Sequence, residues 1–202
     1  MEIGIEKLDK LIGPLSGGSV LLIEDTGGIG AKICSVLVDR HKDSVPTLLI
    51  FQKGSSEIKL FPKENLRTII IGEDAHSGRL YEILHEVRKL PENSLVVAIR
   101  LDSLLLVRSL REVYMFLSDL ASVVHEKDLI LVMTVDKRNI KEREQSVFEN
   151  LSTHVIDISE VVSEFRVFHL LRVKKSPAGS TGFYKLEMKR GEIKIHELIN
   201  TL

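Results

Sequence analysis

The sequence contains a single cysteine, Cys34, and no tryptophan. One cysteine excludes an internal disulfide and a metal site built from several thiolates. Uninterrupted apolar runs such as Leu104 to Val107 are far too short to span a bilayer. The first ten residues, MEIGIEKLDK, lack the pattern of a secretory signal peptide. We therefore expect a cytoplasmic protein that does not contact membranes.

An excess of charge of one sign is also lacking. The 28 Lys and Arg residues are balanced by 29 Asp and Glu residues, so the formal net charge is -1. Such a chain has no overall electrostatic attraction to nucleic acid or to an anionic membrane. Glutamine occurs only at Gln52 and Gln145, whereas Lys and Glu are abundant. This composition favours a thermophilic source.

The 202 residues, of which 44% are apolar, suit one globular domain with a sizeable core. Apolar runs rich in β-branched residues alternate with amphipathic stretches. The runs predict strands at 19–24, 46–51, 67–71, 94–101 and 128–135. The stretches between them predict helices at 28–40, 77–89 and 104–125. This alternation predicts an α/β fold with a parallel sheet and helices on both faces.

The pattern changes after about residue 140. A polar helix is predicted at 141–150, followed by short strands at 154–158, 166–174, 183–188 and 192–197. Short strands joined by tight turns predict an antiparallel extension of the sheet. We therefore expect a single domain over residues 1–202, with an α/β core at 1–140 and a C-terminal strand and hairpin extension at 141–202.

The segment GGSVLLIEDTGGIGAKI, residues 17–33, places a glycine-rich turn between a strand and a helix. This is the context of a phosphate-binding loop, in which free backbone N–H groups and the helix N-terminus hold the anion. Such a loop needs unusual torsions and close backbone approach, which glycine allows. Gly27, Gly28 and Gly30 meet that requirement.

The residues after the glycines depart from the pattern G-x-x-x-x-G-K-[ST] of a working loop. With Gly30 on the second glycine, Asp25 falls on the first, Ala31 on the lysine and Lys32 on the Ser/Thr. The lysine that neutralises the β- and γ-phosphates and the hydroxyl that holds Mg²⁺ are then both missing. A one-residue bulge would bring Lys32 to the lysine position, but Ile33 would then replace the hydroxyl.

Three interpretations of this loop stay open at the level of the sequence. It is a tight turn that binds nothing, a weak nucleotide site, or a site for another anion.

Several segments resemble the RecA/KaiC-like superfamily of ATPases, especially its small archaeal KaiC-like and RadB-like core domains. They are IEKLDKLIGPLSGGSVLLIE, LVVAIRLDSLLLV, DLILVMTV, HVIDI and FRVFHLLRVKK, and together they extend over nearly the whole chain. The overall character is also similar to that of a hyperthermophilic archaeal family of unknown function. The resemblance implies a three-layer RecA-like P-loop fold, with a mostly parallel sheet and antiparallel C-terminal strands.

The resemblance also implies roles for individual positions. Asp102 matches the Walker B aspartate, which orients Mg²⁺ through water, although a cap of the following helix is an equal alternative. Gln52 and Lys53 stand where the family has the glutamate pair that polarises the attacking water. Lys174 matches a lysine that reaches the γ-phosphate of a neighbouring subunit, and Ser176 occupies the position of the arginine that accompanies this lysine in the family.

Four departures therefore fall on the same reaction, at Ala31, Lys32, Gln52 and Ser176. A general base alone contributes about 10²- to 10⁴-fold to a rate. Together the departures imply that hydrolysis is lost.

Other candidates have structural explanations. Segment 136–144, DKRNIKERE, corresponds to a DNA-contacting loop of recombinases in this superfamily, but its acidic residues nearly cancel its basic ones. It has no aromatic residue to stack on bases. The seven histidines show no metal-ligand spacing. We expect Cys34 to be a small buried residue.

We accordingly expect a catalytically inactive RecA/KaiC-like protein, a pseudo-ATPase that acts through a protein partner or as a homo-oligomer, with no catalytic residue, metal or cofactor. The alternative is weak binding of ATP or ADP with Mg²⁺ at Gly27, Gly28, Gly30, Lys32 and Asp102. A second alternative is a nucleic-acid-associated, RadB-like accessory protein, which the balanced charge disfavours.

Overall fold

The computed structural model describes residues 1–62, 64, 66–72, 79–163, 166–189 and 192–198. Its α-helices are α1 (Glu6–Ile12), α2 (Ile29–His41), α3 (Leu80–Arg88), α4 (Leu110–Glu126) and α5 (Glu142–Asn150). Its strands are β1 (Val20–Asp25), β2 (Thr47–Gln52), β3 (Arg67–Ile71), β4 (Leu95–Ala98), β5 (Ile130–Asp136), β6 (His154–Ser163), β7 (Arg166–Lys175), β8 (Tyr184–Lys189) and β9 (Glu192–Leu198).

These strands form one sheet in the order β3-β2-β4-β5-β1-β6-β7-β8-β9. The pairs from β3 to β6 are parallel, and the pairs from β6 to β9 are antiparallel. The predicted α/β fold, with a mostly parallel sheet and antiparallel C-terminal strands, is thereby confirmed.

Helices cover both faces of the sheet, which is why its central strands are buried and apolar over most of their length. Along β1, Val20 and Leu22 join a core cluster that includes side chains of α3, α4 and α5. Leu21 and Ile23, on the other face, join a second cluster with side chains of α1 and α2. Each of these four residues is fully buried, and burying such a side chain stabilises the fold by about 1.5–3 kcal/mol.

The helix predicted at 104–125 begins later in the structure. A 3-10 helix spans Leu101–Leu106, and α4 starts at Leu110. Ser109 caps α4 in a reciprocal capping box with Glu112. The interpretation of Asp102 as the cap of this helix is therefore wrong, because Ser109 accepts the hydrogen bond from the third residue of the helix.

Other boundaries also differ from expectation, and the strand predicted at 94–101 ends at Ala98. The strand predicted to end at residue 158 continues to Ser163, because β6 pairs with β7 up to Ser163 opposite Arg166. The helix predicted at 77–89 is described from Leu80 as α3, and residues 77 and 78 lie outside the described residues.

The strand order decides which residues can form a site. The carboxyl ends of parallel strands meet at one edge of a sheet, and β4, β5 and β1 are neighbours there. Asp25 at the end of β1 stands in register with Asp136 at the end of β5. Arg100 and Asp102 follow β4 at the same edge.

Candidate functional site

The glycine-rich turn after β1 has the geometry expected of a strand-to-helix loop. Asp25 ends β1, and α2 begins at Ile29. Gly27 and Gly28 have φ angles of 88° and 77°, in the left-handed region that side chains disfavour. A Cβ atom at either position would meet no atom within 4 Å, so the backbone torsion alone requires glycine.

The side chain of Asp25 folds back onto this turn. Asp25 is 1% exposed, and its Oδ2 atom accepts a hydrogen bond from the backbone N–H of Gly30. A Cβ atom at Gly30 would lie 3.0 Å from Asp25 Oδ2, so the close contact also depends on glycine. A carboxylate of the chain itself thus accepts a hydrogen bond from a backbone N–H in the first turn of α2. In phosphate-binding loops, N–H groups at this position bind the anion.

The second carboxylate oxygen of Asp25, Oδ1, is buried and has no hydrogen-bond partner among the described residues. The pKa of Asp25 is raised to about 6, mainly by burial and to a smaller extent by the negative charges of Asp136 and Asp102. The hydrogen bond from Gly30 and the positive charge of Arg100 act in the opposite direction.

Asp102 lies in a network of donors next to Asp25. It is 1% exposed and accepts hydrogen bonds from the Arg100 guanidinium at 3.2 Å for both Nε and Nη2. It also accepts from the backbone N–H of Asp136 at 3.1 Å and from Asn139 Nδ2 at 3.1 Å. The donors that surround Asp102 are therefore contributed by the chain itself.

Arg100 is the cation at the centre of this acidic cluster. Its φ of 61° is left-handed, and its N–H donates to Thr134 Oγ1 at 2.9 Å, which holds the residue at the end of β4. Besides Asp102, its guanidinium lies 3.8 Å from Asp136 and 3.7 Å from Glu57. Burial opposes its charge, but these carboxylates, Asp102 first, raise the pKa of Arg100.

Asp136 has a cation of its own as well. Arg138 Nη2 donates to Asp136 Oδ2 at 2.7 Å, and the hydrogen bonds from Arg138 lower the pKa of Asp136. Asp25, Asp102 and Asp136 thus form an acidic cluster that Arg100 and Arg138 compensate.

Lys32, the predicted cation of the loop, lies apart from this cluster. It is exposed in the first turn of α2, and its Nζ is 3.9 Å from Met188 Sδ on β8. Within the described residues no ion pair or hydrogen bond joins it to Asp102. Ala31, on the lysine position of the pattern, is 1% exposed and packs in the core beneath α2.

The structure thus brings Gly27, Gly28 and Gly30 together in one turn beside Asp102, whereas the ammonium of Lys32 is directed toward β8. Nucleotide binding by these five residues stays a prediction.

A second buried carboxylate, Glu24, lies on the opposite face of β1. It is fully buried and accepts from Lys174 Nζ at 3.1 Å and from Gln145 Nε2 at 3.0 Å. Lys174 also pairs with Glu149. Burial raises the pKa of Glu24 to about 7 although the charge of Lys174 lowers it. For Lys174, hydrogen bonds and charges from Glu149 and Glu24 outweigh burial and raise the pKa.

Three other predicted positions are described. Gln52 ends β2, and its Nε2 is buried without a hydrogen-bond partner among the described residues. Ser176 donates to the Gly179 carbonyl at 2.8 Å, within the turn after β7. Cys34 is free and buried, as predicted, and burial raises the pKa of its thiol.

The basic residues of segment 136–144 are partly engaged inside the chain. Lys137 pairs with Asp157 and donates to Ser159 Oγ at 2.7 Å, and Arg138 pairs with Asp136. Asp157 also accepts from Arg172 Nε at 2.9 Å. Two of the four basic groups in this segment are therefore held by carboxylates.

Sequence reasoning missed Arg100 and Glu24 as members of these clusters. The available signal was position, since each is a charged residue directly at or after the end of an apolar run. Their partners, however, come from distant segments.

Within the described part of the chain, no group of three or more His, Cys, Asp or Glu residues is arranged to hold a metal ion. None of the described helices is both long enough and apolar enough to cross a membrane.

The fold is similar to those of two archaeal proteins. The flagellar accessory protein FlaH from Methanocaldococcus jannaschii matches over 95% of this chain and 95% of its own, with a TM-score of 0.69 and 15% identity. A KaiC-like protein from the hyperthermophilic archaeon Pyrococcus horikoshii OT3 matches over 98% of both chains, with a TM-score of 0.74 and 15% identity. Neither a family model nor a curated protein matches the sequence. The comparisons show a RecA/KaiC-like fold, as the sequence predicts.

Proposed function

We propose that this protein is a RecA/KaiC-like domain that does not hydrolyse ATP and acts by binding a protein chain. The observation that carries the proposal is the position of Asp25. Its carboxylate accepts a hydrogen bond from the backbone N–H of Gly30 at the start of α2. In a working loop that donor would be available to a phosphate.

The surroundings of Asp25 oppose a nucleotide further. A phosphate that displaced this carboxylate would still face Asp102 and Asp136, whose charges act on the same position. Two like unit charges 4 Å apart repel by on the order of 4 kcal/mol at the effective dielectric constant near a protein surface. Arg100 and Arg138 reduce this repulsion, but their guanidinium groups are paired with Asp102 and Asp136 and so offer a phosphate no unpaired cation.

The other cation that the resemblance assigns to hydrolysis is also occupied. Lys174 would have to reach a phosphate on a neighbouring subunit, but its ammonium is shared between Glu24 and Glu149. Withdrawing it would leave Glu24 buried and charged without its cation, which is costly. Its engagement supports a structural role in place of a catalytic one.

The alternative function is weak binding of ATP or ADP with Mg²⁺ through Lys32 and Asp102. It is favoured by the turn itself, in which Gly27 and Gly28 keep left-handed torsions with open space around them. Lys32 is exposed in the first turn of α2 and would have to leave Met188 to contribute.

Calorimetric titration with ATP and ADP in the presence of Mg²⁺ separates these functions. The proposal expects no binding tighter than about 1 mM and no release of phosphate from ATP. A Kd of about 0.1 mM that is lost in Lys32→Ala but kept in the matched control Lys59→Ala would overturn it. Salt-dependent retention on single-stranded DNA would instead favour the nucleic-acid alternative.

A further inference from the structure

The groove between α3 and α4 presents apolar side chains to solvent. Met115 on α4 is 54% exposed, and Tyr81 on α3 is 63% exposed. Tyr81, Leu84, Arg111, Met115 and Asp119 are among the residues that line this α3–α4 groove. Clustered exposed apolar side chains mark interaction surfaces, and Tyr, Met and Arg are enriched at the centres of such surfaces.

Two of the four charged residues that line the α3–α4 groove lie symmetrically about Met115. Arg111, Met115 and Asp119 follow one another at intervals of four residues, so they lie along one face of α4. The cation and the anion are about 12 Å apart along the helix, with Met115 midway. All three residues line the same groove.

The side chains of Arg111 and Asp119 have no hydrogen bond or ion pair within the described chain. Several charged residues close to them on or beside the same two helices do have such partners. Arg79 pairs with Glu82 at 3.2 Å, Lys89 with Glu86 at 2.8 Å and Arg108 with Glu112 at 3.5 Å. Among the charged residues that line the α3–α4 groove, Arg108 and Glu112 pair with each other, so the two unpaired ones are those on either side of Met115.

We propose that the α3–α4 groove binds a second copy of this chain, with the two α4 helices antiparallel and a two-fold axis at Met115. Each Arg111 then lies opposite Asp119 of the second copy, and the two Met115 side chains meet at the centre. A cation, an apolar residue and an anion at equal spacing are self-complementary under a two-fold rotation, which is the requirement of an isologous dimer. Binding to an unrelated protein would not require this symmetric arrangement of charges on the surface.

This inference rests on the proposed binding function and names its partner. It leaves the nucleotide question untouched, because α4 packs on the face of the sheet opposite α2 and the glycine-rich turn.

Charge reversal tests the dimer directly. Light scattering of the wild type at about 100 µM should give twice the chain mass of 22.8 kDa. Arg111→Asp places like charges opposite each other at both ends of the interface, and so does Asp119→Arg. Each variant should weaken the dimer by at least about 10-fold. Arg143→Asp, the same change on an exposed position of α5, is the matched control and should leave the dimer unchanged.

A double variant and a mixture of the two single variants should both restore the interface. The double variant Arg111→Asp/Asp119→Arg exchanges the two charges and should dimerise like the wild type. A mixture of the two single variants should form a heterodimer, since one chain then presents two carboxylates and the other two guanidinium groups. Because the single variants recover in the mixture, weakened self-association cannot be attributed to misfolding.

The opposite results are equally specific. A wild-type protein that stays monomeric at about 1 mM overturns the inference, and so does a dimer that neither single reversal weakens more than Arg143→Asp does. A monomer that also binds no nucleotide would remove the self-association surface and leave the absence of hydrolysis standing. A dimer with ATPase activity would overturn the proposed function but keep the surface.

Discussion

The carboxylate of Asp25, the last residue of β1, accepts a hydrogen bond from the backbone N–H of Gly30, five residues further on. This bond closes the glycine-rich turn on itself and joins the end of the central strand to the first turn of α2. The contact needs both residue types, since a carboxylate must reach the helix start and a Cβ atom at Gly30 would crowd it.

The pH dependence of stability tests the environment of Asp25. The pKa of Asp25 is raised from 3.8 to about 6, so between these values the folded state binds more protons than the unfolded state. The contribution of this group is complete below the unfolded pKa and is lost as the pH rises through the folded pKa. The free energy of unfolding of the wild type, relative to Asp25→Asn, should therefore fall by on the order of 3 kcal/mol from pH 4 to pH 7.

Urea denaturation at a series of pH values measures this difference. Asp43→Asn changes an exposed carboxyl, so its free energy of unfolding should depend on pH in the same way as that of the wild type. Parallel curves for Asp25→Asn as well would contradict the buried environment of Asp25.

Two glycine substitutions separate torsional strain from crowding. Gly28→Ala adds a Cβ atom in open space at a φ of 77°, so it should cost only the left-handed torsion, about 1 kcal/mol. Gly30→Ala places its Cβ 3.0 Å from Asp25 Oδ2 and 3.1 Å from Ile23 Cγ2, and should cost more, about 2–3 kcal/mol. Equilibrium unfolding of both variants measures the two losses in the free energy of unfolding. A smaller loss for Gly30→Ala than for Gly28→Ala would argue against the closed turn.

Lys174 should matter for stability because Glu24 is buried behind it. Lys174→Met leaves Glu24 without its cation and should destabilise the protein by about 2–4 kcal/mol at pH 8. Adding Glu24→Gln removes the uncompensated charge, so the double variant should lose less than the sum of the single losses. Lys175→Met, at the exposed neighbouring position, should stay within about 0.5 kcal/mol of the wild type. Additive losses would show that the two groups do not interact.

The start of α4 depends on Ser109. Ser109→Ala removes the acceptor for the Glu112 N–H and should cost about 1 kcal/mol. Ser122→Ala, on the exposed side of the same helix, serves as the control and should change the free energy of unfolding by less than about 0.5 kcal/mol. Faster amide exchange in the first turn of α4 in Ser109→Ala, but not in Ser122→Ala, would locate the effect. An equal loss in both variants would contradict the capping box.

Most helix and strand positions were predictable because burial on both faces of a sheet leaves apolar runs that periodicity detects. The start of α4 was missed, although Ser109 and Glu112 have the capping-box spacing. The apolar run at 104–107 suggested a helix continuing from residue 104, whereas part of that run forms a separate 3-10 turn. The capping box therefore determined where α4 begins, and the continuous apolar pattern before it did not.

The site was predictable only in part. Asp25 could be recognised as a negative charge in a phosphate-loop position, but Arg100 could not be linked to it. Arg100 and Asp25 lie at the same edge of the sheet because β4 and β1 run parallel on either side of β5, which comes later in the chain than both. No spacing along the chain encodes that neighbourhood.

The sequence by itself determined the alternation of strands and helices and the glycines of the turn, and it predicted a loop without the lysine and the hydroxyl that ATP hydrolysis uses. These features are local, so residue type and spacing suffice to establish them. The tertiary structure decided what the remaining charges do. Asp25 binds the turn, Arg100 compensates the acidic cluster, and Lys174 pairs with Glu24 across 150 residues of chain. Such pairings depend on strand order and register, which arise only when the sheet assembles.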